Sequence, residues 1–197
     1  MKQLSFAITT LLYLCLANFP VNVKEALAQN IQLQQTLLAQ AEWKLFSFNA
    51  EKFQVQFPFE PKIFKDFTDI DGQQLDWYLF RVDDDSYWNP AKKEDDANSV
   101  YLVAYTDLTV EYIEQSGNDL LEKISDNLFQ EFELEELNQQ GKAIFLNGQP
   151  GLEFSGNLDD SIAGMRLYLV GQRLYSLYAI SDDSTNIEQF FNSFQVQ

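Results

Sequence analysis

The chain of 197 residues has no histidine and a single cysteine, Cys15. That cysteine sits in a short apolar run, Phe6 to Ala17, which follows Lys2 and precedes Ala26-Leu27-Ala28. A positive end, a short apolar stretch and a small-x-small pattern are the parts of a secretory signal peptide. The spacing predicts a signal peptide over residues 1–28, with Ala26 and Ala28 as the small residues at the cut and Gln29 as the new N-terminus. The exported chain would then hold neither histidine nor cysteine. The usual thiol nucleophile, imidazole acid-base group and soft metal ligands are thereby excluded. Tyr13 and Leu14 before Cys15 are bulky, which sets it apart from a lipid-attachment cysteine.

Long hydrophobic runs are also lacking. The N-terminal run ends at Asn18 and Pro20 after about a dozen residues, short of the ~20 that cross a bilayer as a helix. No stable membrane insertion is expected after cleavage. Basic residues are scarce, 13 against 30 acidic ones, for a net charge of −17. Removal of Lys2, Lys24 and Glu25 with the signal would leave −18. Such a polyanion repels nucleic acid and anionic lipid surfaces, so no nucleic-acid partner is expected. Cationic proteins, neutral surfaces and divalent cations remain as partners.

Catalytic constellations are missing as well. Without histidine or cysteine a hydrolase would need a Ser-Lys dyad or paired carboxylates. The exported chain contains no Ser-x-x-Lys sequence and no glycine-rich phosphate loop. The expectation is a non-catalytic protein with no catalytic residues, no cofactor and no assigned metal ligand.

What the chain does have is aromatic mass, with 17 Phe, 9 Tyr and 3 Trp. One domain of about 150 residues can bury a real core with that content. Residues 29–42, rich in Gln, Ala and Leu, read as a linker, and residues 43–197 as the domain. In Phe53-Gln-Val-Gln-Phe57 the apolar side chains alternate with glutamines, the period of a half-buried strand, which Pro58 and Pro61 end. Strands over Lys62 to Thr68 and Gln73 to Val82 flank Asp71-Gly72, a hairpin turn signal. Ser99 to Leu108 is a further strand. The acidic segment Asp83 to Asn98, which contains Pro90, reads as an exposed loop.

Between Asn118 and Leu137 the period changes. Leu120, Leu121, Ile124, Leu128 and Phe132 recur at helical spacing, and Glu131, Glu133, Glu135 and Glu136 crowd its C-terminal end against the helix dipole. Lys142 to Leu146 and Gly151 to Ser155 make a second hairpin across Asn147-Gly148. Ile162 to Val170 and Arg173 to Ile180 make a third across Gly171-Gln172. A last helix, capped by Ser184, carries Ile187, Phe190, Phe191 and Phe194 on one stripe. Hairpins without βαβ alternation predict the α+β class, an antiparallel β-sheet covered by helices.

Two acidic groups are candidate calcium ligands. Asp66, Asp69 and Asp71 precede Gly72, but the alternation of oxygen ligands and the distal glutamate of a calcium loop are missing. Asp83, Asp84 and Asp85 face Glu94, Asp95 and Asp96 across the Pro90 loop, with Lys92 and Lys93 between. An extracytoplasmic calcium or small-ligand binder is the alternative this loop supports, and a carboxylate-based hydrolase the remaining one. Trp77, Tyr78 and Phe80 suggest a stacking surface, yet alternation sends Trp77 and Tyr78 to opposite faces, so one of them belongs to a core.

Several segments resemble a known family. They are Phe53-Gln-Val-Gln-Phe-Pro58 with Pro61-Lys62, Tyr101-Leu-Val-Ala-Tyr-Thr-Asp107, Gly151-Leu-Glu-Phe154, Met165-Arg-Leu-Tyr-Leu-Val-Gly-Gln-Arg-Leu-Tyr175 and Phe190-Phe-Asn-Ser-Phe194. Over roughly Trp43 to Phe194 the pattern is similar to small exported cyanobacterial proteins of the PsbP-like family, whose superfamily includes the photosystem II oxygen-evolving-enhancer subunit and a Ran-binding nuclear import factor. The resemblance implies an α/β/α sandwich around an antiparallel sheet and a non-catalytic protein that docks to a protein partner in the periplasm or thylakoid lumen. It carries over no binding residue. The histidines linked to metal and photosystem contacts in that family have no counterpart here.

Overall fold

In the computed structural model the described residues are 43–70, 72–83, 99–131, 134, 137–158 and 161–197. Residues 1–42, with the expected signal peptide and linker and the expected cleavage residues Ala26, Ala28 and Gln29, lie outside them.

Among the described residues ten strands and three helices follow one another as β1 (Lys44–Phe48), β2 (Phe53–Phe57), β3 (Lys62–Ile70), β4 (Gln73–Asp83), β5 (Val100–Asp107), α1 (Val110–Ser116), α2 (Leu120–Glu131), β6 (Lys142–Leu146), β7 (Gln149–Leu158), β8 (Ser161–Val170), β9 (Arg173–Ser181), α3 (Ser184–Ser193) and β10 (Gln195–Val196). Seven strands form one sheet in the order β3-β4-β5-β9-β8-β7-β6, and β1-β2-β10 form a second. Every strand pair is antiparallel. The three expected hairpins are present. Ile70 pairs with Gln73, Leu146 with Gln149 and Val170 with Arg173, each across a two-residue turn. At Asn147-Gly148 both turn residues take positive φ, 52° and 83°, the conformation that this dipeptide favours.

Alternation along the strands gives the large sheet two apolar faces. Phe80, Val82, Tyr101, Val103, Tyr105, Tyr168, Tyr175, Leu177 and Ala179 share one core with Phe53, Val55 and Phe57 of β2 and with Phe190, Phe191 and Phe194 of the α3 segment. Leu75, Trp77, Ala104, Phe154, Met165, Leu167 and Leu174 share the other with Tyr112 of α1 and Leu120, Ile124, Leu128 and Phe129 of α2. The expected covering of the sheet by helices therefore needs correction. Helices α1 and α2 lie on one face, but the other is covered jointly by α3 and the small sheet. Strands β1 and β10 complete that small sheet by pairing with both edges of β2.

Three element boundaries also differ from expectation. The main helix begins earlier, as α1, because the Thr109 side chain accepts from the Tyr112 backbone N–H and caps it. Gly117, at φ 59°, then breaks it, and a 3₁₀ turn over Gly117–Asp119 leads into α2. Its end is earlier too. Helix α2 stops at Glu131, the Leu134 N–H reaches back to the Phe129 carbonyl at 3.1 Å, and Leu137 joins Gly156 of β7 in a bridge. A glutamate-rich C-terminus opposes continuation, and burial of Leu137 against the sheet rewards the turn. The cap of α3 is Asp183, whose carboxylate accepts from the Thr185 N–H at 2.8 Å, and Ser184 is the helix's first residue.

Candidate functional site

The described helices cover only part of the helical face of the large sheet. Helix α2 packs on β8 and β7. Over β3, β4, β5 and β9, and reaching Ser161 and Met165 of β8, that face is left with a cleft of about 520 Å³.

Each strand supplies alternate residues to the cleft. Strand β3 gives Phe64, Asp66 and Thr68; β4 gives Trp77, Leu79 and Arg81; β5 gives Val100, Leu102 and Ala104; β9 gives Ser176, Tyr178 and Ile180. Leu128 and Leu134 close it on the α2 side. The polar groups of the lining are largely committed. Thr68 Oγ1 accepts from the Trp77 indole N–H at 3.0 Å, which places Trp77 in the core and removes it as a stacking surface. Asp66 Oδ1 accepts from the Phe67 N–H at 2.8 Å. Arg81 Nε donates to Asp83 Oδ1 at 2.7 Å.

Among the cleft's described residues Asp66 is the one carboxylate, so the lining does not bring together the facing carboxylate pair that an acid-base hydrolase needs. Nor do the described residues assemble three acidic groups that could hold a metal ion. Asp69, one of the first candidate calcium ligands, spends Oδ1 on the Gly72 N–H at 2.9 Å and thus serves the hairpin turn. The acidic loop needs a correction at its first residue. Asp83 is the last residue of β4, 5 % exposed and ion-paired, because a carboxylate in a buried position is retained only with a partner. Residues 84–98, with Asp84, Asp85, Glu94, Asp95 and Asp96, lie outside the described residues, as do Asp71 and the side chain of Glu131 with Glu133, Glu135 and Glu136.

The opposite face carries a row of cations and rings. Lys65 Nζ stands 4.3 Å from the Tyr78 ring centre, Tyr78 stacks on Tyr105 at 4.9 Å with 2° between planes, and Arg173 stands 4.3 Å from the Tyr105 ring. Arg173 also donates to Asp107 twice and to the Glu51 carbonyl, and Tyr175 donates to that same carbonyl. These hydrogen bonds hold the Asp107 carboxyl below its ordinary range, while burial pushes the Tyr105 and Tyr175 phenols up. All of these groups are engaged with one another. The row ties four strands and the β1-β2 turn together, a structural role.

Sequence reasoning missed the cleft. Its signal was present in strands apolar on both faces, such as Tyr101-Leu102-Val103-Ala104, set against one helical stretch too short to cover them.

No known family model matches the chain, and no curated protein matches it. Among solved structures, the chain is similar to the solution structure of cyanobacterial PsbP (CyanoP) from Synechocystis sp. PCC 6803, at 10 % identity and a TM-score of 0.47, over 80 % of this chain and 94 % of that one. A crystal structure from Bacteroides thetaiotaomicron VPI-5482 is similar at 10 % identity and a TM-score of 0.39, over 78 % of this chain; the chain spans about half, 48 %, of that protein's length.

Proposed function

We propose that this protein is a non-catalytic accessory protein, exported to a periplasm or thylakoid lumen, that works by docking another protein in the β3-β4-β5-β9 cleft. The observation that carries the reading is the cleft itself, a largely apolar hollow rimmed by Phe64, which is 39 % exposed. Apolar surface of this kind, bounded by polar groups, is characteristic of interaction sites. The acidity of the chain selects a neutral or cationic partner presenting apolar side chains. A photosynthetic complex is the first candidate, from the segment-level resemblance to PsbP-like proteins and not from any residue that would touch it.

A second reading rests on the cleft's size. At about 520 Å³ it falls in the range of small-ligand sites, so an apolar small molecule is the alternative occupant. Affinity capture from native membranes and soluble extract, with and without calcium, separates the readings when run beside Phe64→Asp. Loss of one specific protein on substitution supports docking in the cleft. Equal capture by both chains contradicts it, and calcium dependence would bring residues 84–96 into the account.

A further inference from the structure

Strand β3 is an edge of the seven-stranded sheet; it carries the charges Lys62, Lys65, Asp66 and Asp69, but is neither short nor interrupted by proline. It is nine residues long, and Lys62 through Phe67 are all exposed, with Ile63 at 59 % and Phe67 at 65 %. Ile70 and Gln73 flank a two-residue turn, so the even-numbered residues of β3 direct their backbone groups to β4. The groups of Ile63, Lys65, Phe67 and Asp69 point outward. The Phe67 N–H agrees with this parity, since it donates to the Asp66 side chain rather than to β4.

We infer that two copies of this chain pair their β3 strands antiparallel about a two-fold axis at Phe67, joining two seven-stranded sheets into one. Centring on Phe67 is singled out by the sequence. A two-fold axis perpendicular to the sheet sets residue i opposite residue 134 − i of the second copy, always on the same face. Phe67 then meets Phe67, Phe64 meets Ile70, and Lys65 meets Asp69 twice, once on each side of the axis. Centring one residue earlier would set Asp66 against Asp66, and two earlier Lys65 against Lys65, both repulsive. The outward parity of Phe67, Lys65 and Asp69 is the parity such a pair needs to exchange backbone hydrogen bonds, the Phe67 N–H giving up its 2.8 Å bond to Asp66 Oδ1 to do so. Charge permits the approach as well. Lys62, Lys65, Asp66 and Asp69 balance, so β3 is a neutral strip on a chain of net charge −17. The interface is isologous and closes at two copies.

The inference does not depend on the docking reading, because Lys65, Phe67 and Asp69 lie on the sheet face away from the cleft, although on the cleft face the pairing sets the rim residue Phe64 beside Ile70 of the second copy. Sedimentation velocity of the purified full chain over a range of concentrations tests it, at about 0.15 M salt to screen the repulsion between two polyanions beyond ~8 Å. The expected result is a concentration-dependent species of twice 22.8 kDa. Lys65→Glu and Asp69→Lys should each sediment as monomer, and an equimolar mixture of the two should restore the dimer, since it puts opposite charges across both arms of the axis. Phe67→Lys, which leaves the Asp69 turn contact intact, should also be monomeric, with an unchanged circular dichroism spectrum. A wild-type chain that is monomeric throughout overturns the inference. So does a dimer that survives Phe67→Lys, or a mixture that stays monomeric.

Discussion

Arg173 holds Asp107 with two parallel hydrogen bonds, Nε to Oδ1 at 2.6 Å and Nη2 to Oδ2 at 2.7 Å, where β5 and β9 run side by side. The same guanidinium donates Nη1 to the Glu51 carbonyl at 2.9 Å. One side chain thus fastens the large sheet to the β1-β2 turn of the small one. Asp107 is depressed in the fold chiefly by the Arg173 hydrogen bond. A depressed carboxyl stabilises the fold above its unfolded value, ~3.9, and that contribution disappears as pH falls through the folded value.

Arg173→Gln should therefore cost about 1 kcal/mol at neutral pH, the modest figure suited to a partner as exposed as Asp107. Its cost should shrink on acidification below about pH 4. Urea midpoints of both chains at pH 7 and pH 3 measure this. A gap that is unchanged or larger at pH 3 would show that the pair is not what Arg173 contributes.

Phe191 and Gly164 form a second coupled pair. A Cβ added at Gly164 would meet the Phe191 ring at 2.8 Å, and that ring is buried. Phe191→Ala should cost about 3–5 kcal/mol and Gly164→Ala about 1–3 kcal/mol. The two together should cost less than their sum, because the missing ring makes room for the methyl. Denaturant titration of the four chains gives the coupling, and strict additivity would place the ring elsewhere.

The cap of α3 gives a smaller test. Asp183→Ala should lose about 1 kcal/mol, while Ser184→Ala, at the first helical position, should change little. The reverse order in thermal melts would return the cap to Ser184.

Calcium separates two readings of the acidity. A chain that docks proteins through an apolar cleft should keep its melting temperature in millimolar calcium. A rise of several degrees would mean that the folded state binds the ion, by mass action.

Periodicity carried much of the fold into view. Phe53, Val55 and Phe57 are each fully buried on one side of β2, and the Asn147-Gly148 turn takes the dihedrals its residue types favour. Elements whose stability comes from distant partners were not legible. Strand β10 is two residues long and exists through pairing with β2, and β1 carries a burial pattern that is mostly exposed. Helix α1 is only seven residues, too short for a periodic signal, and depends on its Thr109 cap. Asp83 shows the limit at the candidate site. A run of aspartates looks uniformly solvated in sequence, but Arg81, two residues earlier on the same face, draws its first member into the sheet.

Photo-crosslinking from within the cleft shows whether a protein seats there. A benzophenone side chain placed at Phe64, on the cleft's rim, is compared with one at Phe145, which is 74 % exposed on the far edge strand β6. Docking in the cleft predicts that, in native extract, position 64 links to one protein species other than a second copy of this chain and position 145 does not. Identical adducts from both positions, or none from position 64 while affinity capture succeeds, would contradict it.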